Sequence, residues 1–444
     1  MKFSKFNLIV QSGTEQCYVF NTLNGSCLEI EDKCAKAVEK KQIDDLDGNT
    51  VSLFKRYGII ISDSINEDRI FSYYRNLAVN ASDSINSTVL LTLACNMKCV
   101  YCFEGANKKT IFMNKDEADK YIRFISSLAM QKKSNNIFVN LFGGEPMLNI
   151  EIGYYILEEL LAFSKKNNIR FGSSIITNGT LIGESEIDRL ISLNCRYIQI
   201  TLDGTEEIHN SRRMYKDNRG SFSDIVRALC LLNRNASRIR TTIRINVDKD
   251  NLLPTKELLK YIGASGVDLT NCFVDFGIVR SSEGGCPAYS ANCLVDSEIG
   301  TALGELWACL EKEGFKNNVV PSRRWIYCGL YNDCQYTVAP NCDVYKCWEL
   351  VGSEHHRVGV LNAKGELSNI AYALYDWMTV DPLKNAECSK CVYLPSCGGG
   401  CAITSLNSSG TYHSNGCFKI KGVVEQQVLQ YIEAIKKVRS SEHS

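Results

Sequence analysis

The 444-residue sequence predicts an α/β fold, a parallel sheet or a partial (β/α)6, TIM-like barrel, with a small mixed block before it and a cysteine-rich block after it. Three observations carry this. From Thr88 onward, apolar strand-like runs alternate with amphipathic helical runs. The unusual short motifs of the chain fall where those strands would end, which is where α/β folds bind ligands. Beyond about residue 320 the alternation stops, and closely spaced cysteines take over.

Taken in order, residues 1–80 hold an alternating segment, QCYVFNTLNGSCLEI, whose Asn24-Gly25 reads as a tight turn between two strands. Helical stretches and a final apolar strand, YGIIIS, follow. Residues 86–320 then read as TVLLTL, ADKYIRFISSLAM, IFVNLF, YYILEELLAF, SSIIT, SEIDRLISL, YIQITL, FSDIVRALCLL, IRTTIRINV, TKELLKYIG and CFVDFGIV. That is six strands alternating with five amphipathic helices. A last helix is expected near residues 421–437, after a stretch poor in long apolar helices that depends on metal for its folding energy.

Composition narrows the function. Fifty Lys plus Arg balance fifty Asp plus Glu, so no net basic field draws the chain to nucleic acid or to an acidic membrane. The opening MKFSKFNLIV shows no secretory signal, and no apolar run reaches about 18 residues. The expected location is the cytoplasm. There, the 21 cysteines serve metal ligation, catalysis or core filling rather than structural disulfides.

Spacing sorts the cysteines. Cys95, Cys99 and Cys102 form C-x3-C-x2-C at the end of the first barrel strand. Cys388, Cys391, Cys397 and Cys401 form C-x2-C-x5-C-x3-C, followed by Cys417, and Cys328, Cys334 and Cys347 lie between the two groups. The other ten, Cys17, Cys27, Cys34, Cys195, Cys230, Cys272, Cys286, Cys293, Cys309 and Cys342, read as small core hydrophobes or inert surface thiols. Three thiolates on one tight loop can hold three irons of a [4Fe–4S] cube and leave the fourth open to a ligand. Zinc is the competing metal, but a closed zinc site wants four ligands, and no His lies near this loop.

The triad, with Tyr101 before its last cysteine, resembles the radical S-adenosylmethionine (SAM) enzymes. The resemblance implies an open iron that chelates SAM and a 5′-deoxyadenosyl radical that abstracts hydrogen. Its second half is Gly143-Gly144-Glu145-Pro146, directly after IFVNLF. Paired glycines let backbone carbonyls approach the ligand's ammonium, and Glu145 can add charge-assisted help. By itself this motif could equally be a strand-to-helix turn with Pro at its first turn. The resemblance also implies SAM contacts from Asn178, Thr201, Asp203 and Arg244 at later strand ends.

The C-terminal cysteines resemble the SPASM extension (residues 325–435), which implies two auxiliary [4Fe–4S] clusters and three clusters in all. Carried over, one cluster would use Cys328, Cys334, Cys347 and Cys401, and the other Cys388, Cys391, Cys397 and Cys417. The family has Gly five residues before the Cys matching Cys347, and here that residue is Cys342, a turn residue or an alternative ligand. A pair of zinc ribbons is the competing reading.

Residues 1–80 are similar to the RiPP recognition element, a winged-helix-like domain that binds leader peptides by strand addition. The bland alternative is a packing domain without a ligand. Together these resemblances imply a peptide maturase that installs a cross-link, most expectedly a thioether, in a ribosomally made precursor. A low-potential donor such as flavodoxin or ferredoxin would supply electrons. Carbon–carbon or carbon–oxygen linkage stays open, as does an anaerobic sulfatase maturase. That last family carries an Asp right after the Cys matching Cys347, where this chain has Trp348, with Glu349 one residue on. A non-catalytic iron–sulfur electron carrier would not explain a glycine pair beside an open-cluster triad.

Overall fold

The computed structural model describes residues 1–13, 16–103, 110–266, 271–280, 287–316 and 319–441. Cys286 lies outside the described residues.

The chain begins with β1 (Lys2–Phe3) and an antiparallel meander of β2 (Asn7–Ser12), β3 (Gln16–Asn21) and β4 (Cys27–Ile30). The β3–β4 turn closes where Asn21 Oδ1 accepts the backbone N–H groups of Leu23 and Asn24, and Gly25 supplies φ +82°. Helices α1 (Asp32–Lys40) and α2 (Gly48–Arg56) follow, the latter started by Asp47, whose carboxylate accepts from Asn49 N and Thr50 N. The apolar run YGIIIS yields only a two-residue strand, β5 (Ile60–Ile61), paired with β1, before α3 (Glu67–Val79).

The barrel series matches its expected order. It runs β6 (Ser84–Thr92), α4 (Lys115–Lys132), β7 (Asn136–Gly143), α5 (Ile150–Lys166), β8 (Arg170–Thr177), α6 (Glu184–Ser192) and β9 (Cys195–Thr201). It continues through α7 (Glu206–Arg212), α8 (Phe222–Arg234), β10 (Arg240–Val247), α9 (Leu252–Ala264) and β11 (Cys272–Ile278). All six strands are parallel, and each pairs with its sequence neighbour, from β6 through β11. A strand order that never reverses gives a partial barrel rather than a doubly wound sheet, with every βα turn at one mouth.

The sheet does not stop where the alternation stops. After α10 (Asp296–Lys312), β12 (Gln335–Val338) pairs in parallel with the free edge of β6. Three antiparallel strands, β13 (Asp343–Tyr345), β14 (Gly359–Leu361) and β15 (Leu367–Ser368), complete a ten-stranded sheet. An uncovered β6 edge would leave unpaired backbone groups, and β12 satisfies them. Val338, Cys342, Val344 and Leu361 accordingly share the barrel's core with residues such as Val139 and Ile198.

The remaining helices are α11 (Tyr372–Met378), α12 (Leu394–Cys397), α13 (Ala402–Ser409) and α14 (Val423–Ser441). The last extends slightly beyond the stretch its sequence pattern indicates. Leu8, Val10, Tyr18 and Phe20 of the N-terminal sheet are buried against Cys397, Ile420, Val424 and Val428, so the first and last parts of the chain share one apolar cluster. Cys342 adopts φ +66° and is buried with its thiol 3.5 Å from Glu117 O, the geometry of a turn residue where the family pattern has Gly. No helix among the described residues is long and apolar enough to cross a membrane.

Candidate active site

At the C-terminal mouth of the barrel lies a cavity of about 460 Å³, within the roughly 300–1,000 Å³ usual for small-molecule sites. Its walls bring together residues far apart in sequence: Cys95, Cys99, Tyr101, Cys102, Gly143, Gly144, Asn178, Thr201 and Arg244. Glu145, Pro146 and Asp203, expected to contact the same ligand, do not line it.

The loop after β6 is held on two sides. Toward β7, Gly144 N and Glu145 N donate to Thr92 O and Ala94 O, each at 2.9 Å. A Cβ on Gly144 would sit 2.3 Å from Ala94 O, so only glycine lets the two backbones meet. Toward the end of α7 and the residues after it, Val100 N donates to Arg212 O at 3.0 Å and Lys98 N to Met214 O at 2.9 Å. Met97 N lies 3.4 Å from Cys95 Sγ, a donor aimed at sulfur. A thiolate ligand is stabilised by such a contact, and three thiols from one loop face one cavity, so the donor set fits an open-iron [4Fe–4S] cluster.

Glu145 is fully buried, and its carboxylate accepts from Thr177 Oγ1 at 2.6 Å, Asn178 N at 2.7 Å and Met147 N at 2.9 Å. Burial raises its pKa, while those hydrogen bonds pull it back. It ties the end of β7 to the end of β8 and has no free oxygen edge toward the cavity. Asn178 works similarly: its amide donates to Asn96 Oδ1 at 2.7 Å and accepts from Thr180 N and Oγ1, fixing the triad loop from the side of β8.

Asp203 is also fully buried. It accepts from the Tyr101 hydroxyl through a short contact and from Asn246 N at 2.8 Å. Tyr101 OH in turn accepts from Arg213 Nη1 at 2.8 Å. Burial pushes the tyrosine well above its ordinary pKa, so it stays a neutral donor. Arg212 bonds Asp248 at 2.6 Å and Asn246 O at 2.8 Å. His209 completes the layer: Nδ1 accepts Asp203 N–H at 3.1 Å, and Nε2 meets Ser221 Oγ at 3.0 Å. Because the Ser221 hydroxyl donates to Arg213 O, the ring must carry its proton on Nε2.

Sequence reading missed Arg213, Asn246, Gln199, Phe142 and Arg280, and it named Trp348 and Glu349 only against the sulfatase maturase pattern; all of these line the cavity. The repeated Arg in HNSRRMY was a visible signal, since two adjacent buried cations need anionic partners. Arg244 lies across Gly277 of the neighbouring strand, where a Cβ would fall 1.8 Å from its Nη2, and pairs with Asp275.

Several of the C-terminal cysteines lie near enough to one another to interact electrostatically. Cys388, Cys397 and Cys417 feel one another and Cys391 electrostatically, as Cys347 does Cys328 and Cys401. Cys328 and Cys334 both lie by Lys346, whose ammonium donates to Asn332 O and Gln335 O. Burial pushes Cys328 and Cys388 to about 11 and Cys334 and Cys397 to about 12, so they are neutral thiols unless a metal centre takes their protons. The donor sets fit thiolate-ligated clusters. Gly400 and Gly416 bring the segments of Cys401 and Cys417 together, a Cβ on Gly400 falling 2.4 Å from Gly416 O. Among the described residues no three His, Cys, Asp or Glu side chains gather as the shell of a single metal ion.

Comparison with known proteins agrees with this geometry. Residues 89–262 match the Radical SAM superfamily. The chain is 24% identical over 375 residues, 79% of its own length and 96% of the relative's, to the cysteine-type anaerobic sulfatase-maturating enzyme of Clostridium novyi (strain NT). Its fold resembles that of anSMEcpe with bound AdoMet (TM-score 0.59, 19% identity, 80% of this chain and 96% of that one). It also resembles Streptococcus suis SuiB bound to precursor peptide SuiA (TM-score 0.52, 15% identity, 94% of this chain and 99% of that one). Residues 89–262 thus form a Radical SAM superfamily domain, and the protein is a radical S-adenosylmethionine enzyme.

Proposed function

We propose that this enzyme is a peptide maturase that installs a cross-link, a thioether in the first instance, in a ribosomally made precursor. One observation carries the reading. Trp348 and Glu349, which follow Cys347 of the cysteine-rich region, line the same cavity as the cysteine triad, so a substrate residue bound there would sit between the two chemistries. The fold likeness to SuiB, whose solved complex holds a precursor peptide, supports a peptide substrate.

In this reading Cys95, Cys99 and Cys102 hold the SAM-binding cluster, and Cys328, Cys334, Cys347, Cys401 and Cys388, Cys391, Cys397, Cys417 hold two auxiliary ones. Bound SAM would supply a 5′-deoxyadenosyl radical that takes one hydrogen atom from a peptide carbon, and closure of the carbon–sulfur bond by a substrate cysteine would release the thiol proton to solvent and one electron to an auxiliary cluster. Gly143 and Gly144 expose backbone to the ligand, while the cations of Arg213 and Arg244 border the same space. The apolar walls of Phe142, Ile278 and Trp348 exclude water from the radical. Residues 1–80 would capture the leader, and a low-potential donor such as flavodoxin or ferredoxin would supply the electrons.

The test uses the full chain, reconstituted anaerobically with iron and sulfide and given SAM, reductant and a precursor peptide encoded beside it. A product two hydrogens lighter per bond, absent with Cys99→Ala, is expected. SAM cleavage that never alters a peptide would overturn the reading.

A second reading, oxidation of a sulfatase cysteine, is favoured by the Clostridium novyi relative and by Glu349 facing the cavity although Trp348 occupies the preceding position. Turnover of a sulfatase cysteine peptide in place of the precursor would select it.

A further inference from the structure

Arg280 follows β11 at the barrel mouth, and its side chain reaches the cysteine-rich region. Nη1 lies 3.2 Å from Cys401 Sγ and 2.8 Å from Thr404 Oγ1, while Nη2 lies 2.5 Å from Glu349 Oε1. The guanidinium rests over the Phe418 ring, 4.9 Å from its centroid. Arg280 and Glu349 are about four-fifths buried, with side-chain exposures of 20% and 19%, and both line the cavity. One cation therefore touches a cavity carboxylate and a cysteine sulfur at once.

We propose that Arg280 is a positioning residue that holds Glu349 at the cavity wall and raises the reduction potential of the cluster ligated by Cys401. This rests on the reading of Cys401 as a cluster ligand. An N–H donor and a positive charge at a ligand sulfur stabilise the reduced, more negative cluster. Glu349 on the other arm of the fork offsets part of that charge. A guanidinium stays charged at any working pH, and here it is paired with the Glu349 carboxylate. A mere strap between barrel and cysteine region would need the Glu349 contact but no donor aimed at sulfur.

The test is a redox titration followed by electron paramagnetic resonance on the reconstituted full chain, with Arg280→Gln, Arg280→Lys and Glu349→Gln beside the wild type. Arg280→Gln is expected to lower the potential of one auxiliary cluster and leave that of the SAM-binding cluster unchanged. Glu349→Gln is expected to raise the same potential, and Arg280→Lys to fall between wild type and Arg280→Gln. Opposite signs from two halves of one ion pair are not what general loosening produces. Should Arg280→Gln fail to assemble, the upward shift in Glu349→Gln carries the test. Equal potentials in all proteins with full iron content would overturn the role of Arg280. Iron content for a single cluster in the wild type would instead overturn the auxiliary-cluster reading, and the proposal with it.

Discussion

Among single residues, Glu145 and His209 matter through what they hold. Glu145 receives three donors in a buried site, so Glu145→Gln turns an amide N–H₂ toward at least one of them. The expected cost is about 1–3 kcal/mol of stability, read as a lower urea midpoint. Were Glu145 instead a direct ligand contact, SAM affinity would fall with stability intact. His209 is held neutral, its pKa pushed well below the ordinary value by burial and then by Arg213 and Arg212. The unfolded chain takes up that proton below about pH 6.5, so the stability present above that pH is lost as pH falls. Relative to His209→Gln, the wild type should lose about 1 kcal/mol between pH 6.5 and 5.5, the slope approaching about 1.4 kcal/mol per pH unit only below that range. A parallel pH dependence in the two proteins would refute a buried neutral imidazole.

At the scale of elements, the active site is a meeting of strand ends. β6 and β7 can bring the triad loop and the glycine pair together only because no side chain stands between Ala94 O and Gly144. Gly144→Ala forces backbone against backbone, and overpacking of this kind typically costs about 1–3 kcal/mol. The loop carrying Cys95 must move to relieve it. The expected result is a folded protein whose iron content drops by one cluster and whose SAM binding is lost, with any other iron retained. Normal SAM binding by this variant would show that the close approach is dispensable. This pairing was legible as a motif, but its partner was not: the carbonyls of Thr92 and Ala94 carry no sequence signal.

For the whole molecule, the N-terminal block is fastened to the cysteine-rich end. Thr22 donates to Val392 O at 2.6 Å, Lys5 to Ser389 O at 2.8 Å, and Arg75 reaches Val380 O. Leu8, Val10, Tyr18 and Phe20 are buried against the C-terminal segment. Exposing four such side chains costs roughly 6–12 kcal/mol, an upper estimate at about 1.5–3 kcal/mol each, comparable to a domain's whole stability. Residues 1–80 made alone are therefore expected to show poor amide dispersion and to self-associate. A well-dispersed spectrum from that fragment would refute the dependence, and leader binding is best measured on the full chain.

The order of barrel elements, the cysteine groups and the glycine motif were readable in the chain itself, because periodicity and short-range spacing are local properties. That β12 extends the barrel sheet beside β6 was not, since two strands separated by more than 240 residues are joined chiefly by backbone pairing, which any sequence can make. Nor could spacing separate cavity-lining residues from those behind them. Asn178 and Asp203 each stand one or two residues past a strand end, yet one faces the cavity and the other is buried beneath it. Side-chain direction at a strand end is decided by which partners the folded chain brings near, here Tyr101, Arg213 and Asn246 around Asp203, and that is a property of the tertiary structure alone.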